Sequence, residues 1–205
     1  MRRAQWATSM SGHHLVLVHM VRHVILGAML PPLVWLIAPR LLPALGRPRR
    51  APALTPFARV LTHPVTTWLA GTLTVIGWHI PAAFELAQRS ASWHAAQDAS
   101  FLVTGLLFWW PVVQPWPAAR RLSSEMIPLY LFAATLPCDA LSAYLVFSER
   151  VAYHRHLVAS AHTGIAALAD QQAAGAFMWV AITFLYLAPA LVMTVQALSP
   201  DHQIA

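Results

Sequence analysis

Five stretches of the chain stay apolar long enough to cross a bilayer: residues 15–38, 60–80, 97–116, 126–147 and 176–198. A hydrocarbon core about 30 Å thick takes roughly 20 helical residues, and each stretch is close to that length. Between them, arginine, proline and polar residues collect in short connections. The second stretch opens at His63-Pro64, where proline suits the first turn of a helix and His63 reads as a helix-start residue, and it closes at Trp78-His79-Ile80-Pro81. The third ends in Phe108-Trp109-Trp110-Pro111, a composition that suits the membrane interface. Leu157 to Ala169 is mildly apolar but interrupted by His162 and Gly164, which predicts an interfacial helix and not a sixth span. No internal repeat or linker divides the chain. Residues 1–205 therefore read as one all-α domain, a polytopic transmembrane helical bundle of about five spans.

Composition agrees with that pattern. The 205 residues are 58% hydrophobic and only 10% charged. The formal charge of +6 comes from arginine alone, since the chain has no lysine, and those arginines lie between apolar runs and not in one basic stripe. This excludes a nucleic-acid partner and turns the arginines into a topology signal. The first loop carries Arg40, Arg47, Arg49, Arg50 and Arg59, and the third Arg120 and Arg121. The second has only Arg89 near Glu85, and the fourth mixes Arg150 and Arg155 with Glu149 and Asp170. Loops one and three are expected to be cytoplasmic, with the N-terminus outside and the C-terminus inside; Arg2 and Arg3 oppose this more weakly. The first apolar segment outruns the 7–15 residues of a signal-peptide core and lacks an A-x-A exit, so it is expected to be retained. The single cysteine, Cys138, excludes an internal disulfide and a thiolate cluster.

Polar residues inside these runs carry the candidate chemistry. His19 and His23 stand four apart in the first span, which stacks both imidazoles on one helix face. Ionisable groups in a span cost on the order of 2.5–3.5 kcal/mol each, so they mark a partner or a task. With the predicted orientation, His79 ends the second span, and His94 with Asp98, again four apart, opens the third. Asp170 precedes the fifth, and all of these lie at the outer face with His19 and His23. His13, His14, His154, His156 and His162 share that face and read as solvated, while His63 and His202 lie inside. Imidazoles and carboxylates converging from separate helices form a metal site readily, for copper, zinc, nickel or iron. Met20 and Met178 place thioether sulfur nearby and tilt the metal towards Cu(I). The plainer reading is that the histidines only bond between helices. Arg22 and Asp139 have compatible depths and are expected to pair, as an ion pair that orients the first and fourth spans. There is no nucleophile elbow, phosphate-binding glycine loop, HExxH or CxxC.

A series of short motifs resembles the membrane-integral cytochrome c oxidase assembly factors called CtaG, associated with caa-type oxidases. They are HMVRH at 19–23 followed by Pro31-Pro32, HP at 63–64, WHIPAAFELA at 78–87, WHAAQD at 93–98 leading into FLVTGLLFWWPV, and DQQAAGAFMW at 170–179. The resemblance implies an accessory protein serving the copper centres of an oxidase, without catalysis of its own. Its setting would be a bacterial cytoplasmic (inner) membrane, among lipid and with oxidase subunits or other assembly factors as partners. His19, His23, His79, His94 and Asp170 match the family's recurring polar positions. Asp98 departs from it, standing where the pattern carries a second histidine, and makes the site harder and less copper-like. Ala173-Ala174-Gly175 is a variant of a double glycine, and the chain is short for the family, so a partner can complete the bundle.

The expected function is thus copper binding at the outer face and delivery to a respiratory oxidase, with His19, His23 and His79 as ligands, then His94 and Asp98, and Asp170 in support. Two other classes use similar residues. A di-iron membrane metalloenzyme also uses HxxxH but brings further histidine boxes, and a b-type haem carrier pairs histidines from two helices. A scaffold without metal is the third possibility.

Overall fold

The first apolar run folds as one rod in three pieces: α1 (Leu15–Val24), a π-helical turn (Ile25–Met29) and α2 (Leu30–Ala44). Pro31 and Pro32 account for the middle piece. Neither has an N–H, so the carbonyls of Gly27 and Ala28 lose their usual donors, and the ladder widens until the Leu30 N–H reaches the Ile25 carbonyl. The computed structural model describes residues 15–44, 56–113, 122–153 and 166–199. The remaining helices are α3 (Pro56–Leu61), α4 (Pro64–His79), α5 (Pro81–Ala87), α6 (Ala91–Val113), α7 (Met126–Phe147) and α8 (Ala167–Leu198). His13, His14, His154, His156, His162, His202, most of the 157–169 segment and the arginines at 47–50 and 120–121 lie outside the described residues.

Local chemistry sets the helix ends. His63 caps α4, its Nδ1 accepting from the Val65 N–H at 3.3 Å, with Pro64 in the first turn as expected. Pro81 forces Ile80 into extended backbone and separates α4 from α5. Two predicted starts move: α6 begins at Ala91 and not at 97, and α8 at Ala167 and not at 176. The Ala, Leu and Gln of 167–174 are strong helix formers, and Asp170 in the first turn complements the helix dipole, so the helix extends beyond the apolar run.

Among the described residues, three helical segments are long and apolar enough to cross a membrane: Val16–Leu41, Met126–Phe147 and Ala167–Gln196. This is a membrane protein. Two of the five predicted spans lack that signature, because α4 has only 16 residues and α6 carries His94, Gln97 and Asp98 in its first turns. Their side chains divide as a bilayer requires. On α8 the buried residues Asp170, Ala174, Met178, Ile182, Tyr186 and Ala190 recur every four positions, while Val180, Phe184 and Leu191 face outward.

The helices close a ring. The first rod packs on α8, α8 on α7, α7 on α4, α4 on α6, and α6 returns to the π turn and α2. Two glycines permit the closest approaches. A Cβ at Gly105 on α6 would run into the Gly27 carbonyl of the π turn and stand 2.8 Å from Pro31 Cγ. One at Gly175 on α8 would stand 2.9 Å from Leu145 Cβ and 3.2 Å from the Ser142 carbonyl on α7. Hydrogen bonds between helices complete the ring: Trp35 Nε1 donates to the Leu106 carbonyl at 2.7 Å, and Tyr130 donates to the Phe108 carbonyl at 3.0 Å.

Candidate functional site

One end of the ring gathers the starts of α1, α6 and α8 and the ends of α4 and α7. Backbone groups left over at those ends are taken up by side chains. The Val16 N–H, in the first turn of α1, donates to Asp170 Oδ2 at 3.0 Å, so Asp170 serves the N-termini of two helices at once. Gln171 accepts from the Ala152 N–H at 2.7 Å and donates to the Leu145 and Arg150 carbonyls at 3.4 and 3.3 Å. The Tyr153 hydroxyl donates to the His79 carbonyl at 3.3 Å. Burial pushes the pKa of that hydroxyl up, with a smaller push from Tyr144, so it remains a donor.

The histidines lie just below. His19 and His23 share one face of α1, as their spacing predicts, with ring centroids 4.1 Å apart. The His94 ring of α6 is 5.4 Å from His19, and the His79 ring of α4 is 6.4 Å from His23. His19, His23 and His79 are buried. Phe101 stacks on His23 at 4.0 Å, and Phe84 meets the His19 ring edge-on at 5.1 Å. His79 donates from Nδ1 to the Val75 carbonyl at 2.7 Å. Among the described residues, neither ring nitrogen of His23 has a hydrogen-bond partner.

The pairing expected of Arg22 with Asp139 is not formed. Arg22 reaches α6, where it pairs with Asp98 and donates from Nη1 to His94 Nε2 at 3.2 Å. Guanidinium has no acceptor, so His94 Nε2 must offer its lone pair. The reason is which helices adjoin: Arg22 reaches across to α6, while α7 packs mainly on α8 and α4. Asp139 Oδ1 is buried without a hydrogen-bond partner among the described residues.

The six predicted residues therefore share one end of the bundle without forming one shell. His19, His23, His79 and His94 cluster; Asp98 stands 4.0 Å from His94 Nε2 and is engaged by Arg22; Asp170 is engaged by the Val16 N–H. Among the described residues, no three His, Cys, Asp or Glu side chains are arranged to hold a metal ion. Sequence reasoning missed two contributors. Phe101 sits seven residues after His94, two turns along the same face, which marked it as a neighbour of the histidines. Gln97, fully buried with neither amide atom hydrogen-bonded among the described residues, gave no signal beyond its position in an apolar run.

Below the histidines the ring encloses a cavity lined by His23, His79, Met20, Cys138, Met178 and Tyr186, among other residues of all five of its walls. The donors present, imidazole nitrogen with thioether and thiol sulfur, fit a soft or borderline metal better than a hard one. No curated protein and no solved structure matches the chain. The family model of the cytochrome c oxidase caa3 assembly factors matches residues 5–199, a span that takes in the whole ring and each residue of the cluster, and the chain belongs to that family.

Proposed function

We propose that this protein assists the assembly of a caa3-type cytochrome c oxidase by holding copper at the histidine end of its bundle and passing it on. The observation that carries the reading is His23: 5% exposed, with both ring nitrogens unpartnered among the described residues and two other buried histidines beside it. A buried polar atom without a hydrogen bond costs about 1–3 kcal/mol, a cost that metal coordination offsets. His19, His23 and His79 are the leading ligands, His94 and Asp98 the next, and Asp170 positions the start of α1 on which His19 and His23 stand. Bound there, copper would be carried as a transferable ion. The chain's own part is to exclude water, orient the imidazoles and release them, so no catalytic residue is assigned.

The same reading takes α4 and α6 as spans too, with Val65, Leu69, Leu73 and Ile76 of α4 facing outward, which gives five crossings. Arginine in loops one and three then sets the histidine end at the outer face of a bacterial cytoplasmic membrane, with oxidase subunits or other assembly factors as partners. Purified protein loaded with copper should lose most of it in a His19→Ala/His23→Ala variant, and unchanged stoichiometry would sink the reading.

A second reading, a scaffold without metal, is favoured by the lack of a preformed triad of His, Cys, Asp or Glu among the described residues. A deletion strain separates the two. Rescue of oxidase activity by added copper supports delivery, and persistent loss supports scaffolding.

A further inference from the structure

One contact below the histidines is hard to explain by hydrogen bonding. His79 Nε2 stands 3.2 Å from Met20 Sδ. On the other side of the ring, Nδ1 is 2.7 Å from the Val75 carbonyl. A carbonyl only accepts, so Nδ1 carries the proton, and in the neutral ring Nε2 is left with its lone pair. That lone pair faces a thioether, which has no proton to give. A second proton on the ring would place an imidazolium at a position only 6% exposed, close to His23, with no carboxylate among its hydrogen-bond partners.

Two electron-pair donors facing each other with nothing between them are the arrangement of two ligands on one ion. At metal–nitrogen and metal–sulfur bond lengths near 2.0 and 2.3 Å, ligands at a tetrahedral angle lie about 3.5 Å apart. The Val75 carbonyl plays the part that an outer-shell acceptor plays for a ligating histidine, fixing the tautomer that points Nε2 at the ion. A thioether donor also changes the chemistry of the centre, because it favours a soft monovalent ion over a divalent one. His23, buried and with both ring nitrogens unpartnered among the described residues, lines the same cavity.

We propose that Met20 Sδ and His79 Nε2 form a preformed two-donor seat for a soft monovalent cation of the Cu(I) or Ag(I) class, with His23 as third donor. The cavity continues from this seat to Cys138 and Met178, which supply the next sulfurs inward. The seat rests on the copper reading above and deepens it by fixing the oxidation state and adding a ligand that is neither histidine nor carboxylate.

The test uses the purified full-length protein, titrated separately with Cu(I), Ag(I) and Zn(II) against a competing chelator. Met20→Leu, close in volume, should weaken Cu(I) and Ag(I) by at least about tenfold, a loss seen even for partners one shell further out. Zn(II) affinity should stay within about twofold, since zinc takes little from a thioether. X-ray absorption on the Cu(I)-loaded native protein should show a sulfur neighbour, a measurement that needs no variant. A shell of nitrogen and oxygen alone overturns the seat. So does Cu(I) affinity within about twofold in Met20→Leu while His19→Ala/His23→Ala abolishes binding, an outcome that leaves the copper reading standing. Native protein that binds none of the three ions overturns both.

Discussion

Two groups of polar residues sit together at one end of the bundle and are almost equally buried, yet their hydrogen bonding differs. At the α8 corner, Asp170 Oδ2 and the amide oxygen and nitrogen of Gln171 are used on backbone groups that helix ends leave over: the Val16 and Ala152 N–H groups and the Leu145 and Arg150 carbonyls. In the neighbouring cluster, the ring nitrogens of His23 have no hydrogen-bond partner among the described residues, and His79 directs a lone pair at a sulfur. Burial is therefore not what distinguishes a site from a structural joint here. A buried group whose polar atoms are satisfied by the protein holds helices in place, and one whose atoms are not is held ready for something else.

Substitutions should separate the corner from the cluster. The largest loss of stability is expected for Gln171→Ala, which removes a fully buried side chain and strands three backbone groups. A cost of about 3 kcal/mol follows from typical penalties for unsatisfied buried groups. Thermal unfolding in detergent measures it, and copper bound per folded molecule should not change. Asp170→Ala comes next. It deletes a charge-assisted bond to the Val16 N–H, at about 2 kcal/mol. If Asp170→Ala removed copper at unchanged stability, the carboxylate would belong with the cluster, and the division drawn between the two groups would fail.

How much of this was legible in the sequence follows the same line. The i, i+4 pairs His19/His23 and His94/Asp98 fixed which side chains share a helix face, because a helix has one period and that period is known. The proline at 64 and the Ile80-Pro81 break located both ends of α4, because proline acts on its own backbone. What depended on the rotation of one helix against another was not legible. Arg22 was matched to Asp139 by depth and found Asp98 instead. Met20 could be placed near the histidines from its position, but only the packing of α4 on α1 brings the His79 nitrogen to its sulfur. The close approach of α6 to the π turn needed the double proline to be read together with Gly105, a residue 74 positions after Pro31 that only folding brings alongside.

A smaller effect, and of opposite sign, is expected in the cluster. His23→Phe replaces an imidazole whose nitrogens bond nothing by a ring of similar shape already facing Phe101. Stability should hold or rise by up to about 1 kcal/mol, because two unpartnered buried polar atoms are removed. Copper binding should fall in the same variant. A gain in stability with a loss of metal is the signature of a position kept for function, and a loss of stability would place His23 among the structural groups.

The smallest change in stability is expected at the seam between the two regimes, where Arg22 holds Asp98 and His94. The guanidinium is 55% exposed, so its ion pair is solvated and screened, and removing it should cost less than about 1 kcal/mol. Its effect on metal has more to say. Arg22 donates to His94 Nε2 and to the Asp98 carboxylate, the two atoms that those residues would offer to copper. A bound cation and the guanidinium compete for the same lone pairs. Arg22→Gln should therefore raise copper affinity several-fold if His94 and Asp98 complete the shell, and the gain should vanish when Asp98→Asn is added. Unchanged affinity in Arg22→Gln would confine the metal to His19, His23, His79 and Met20, and leave the Arg22 pair as a clasp between α1 and α6.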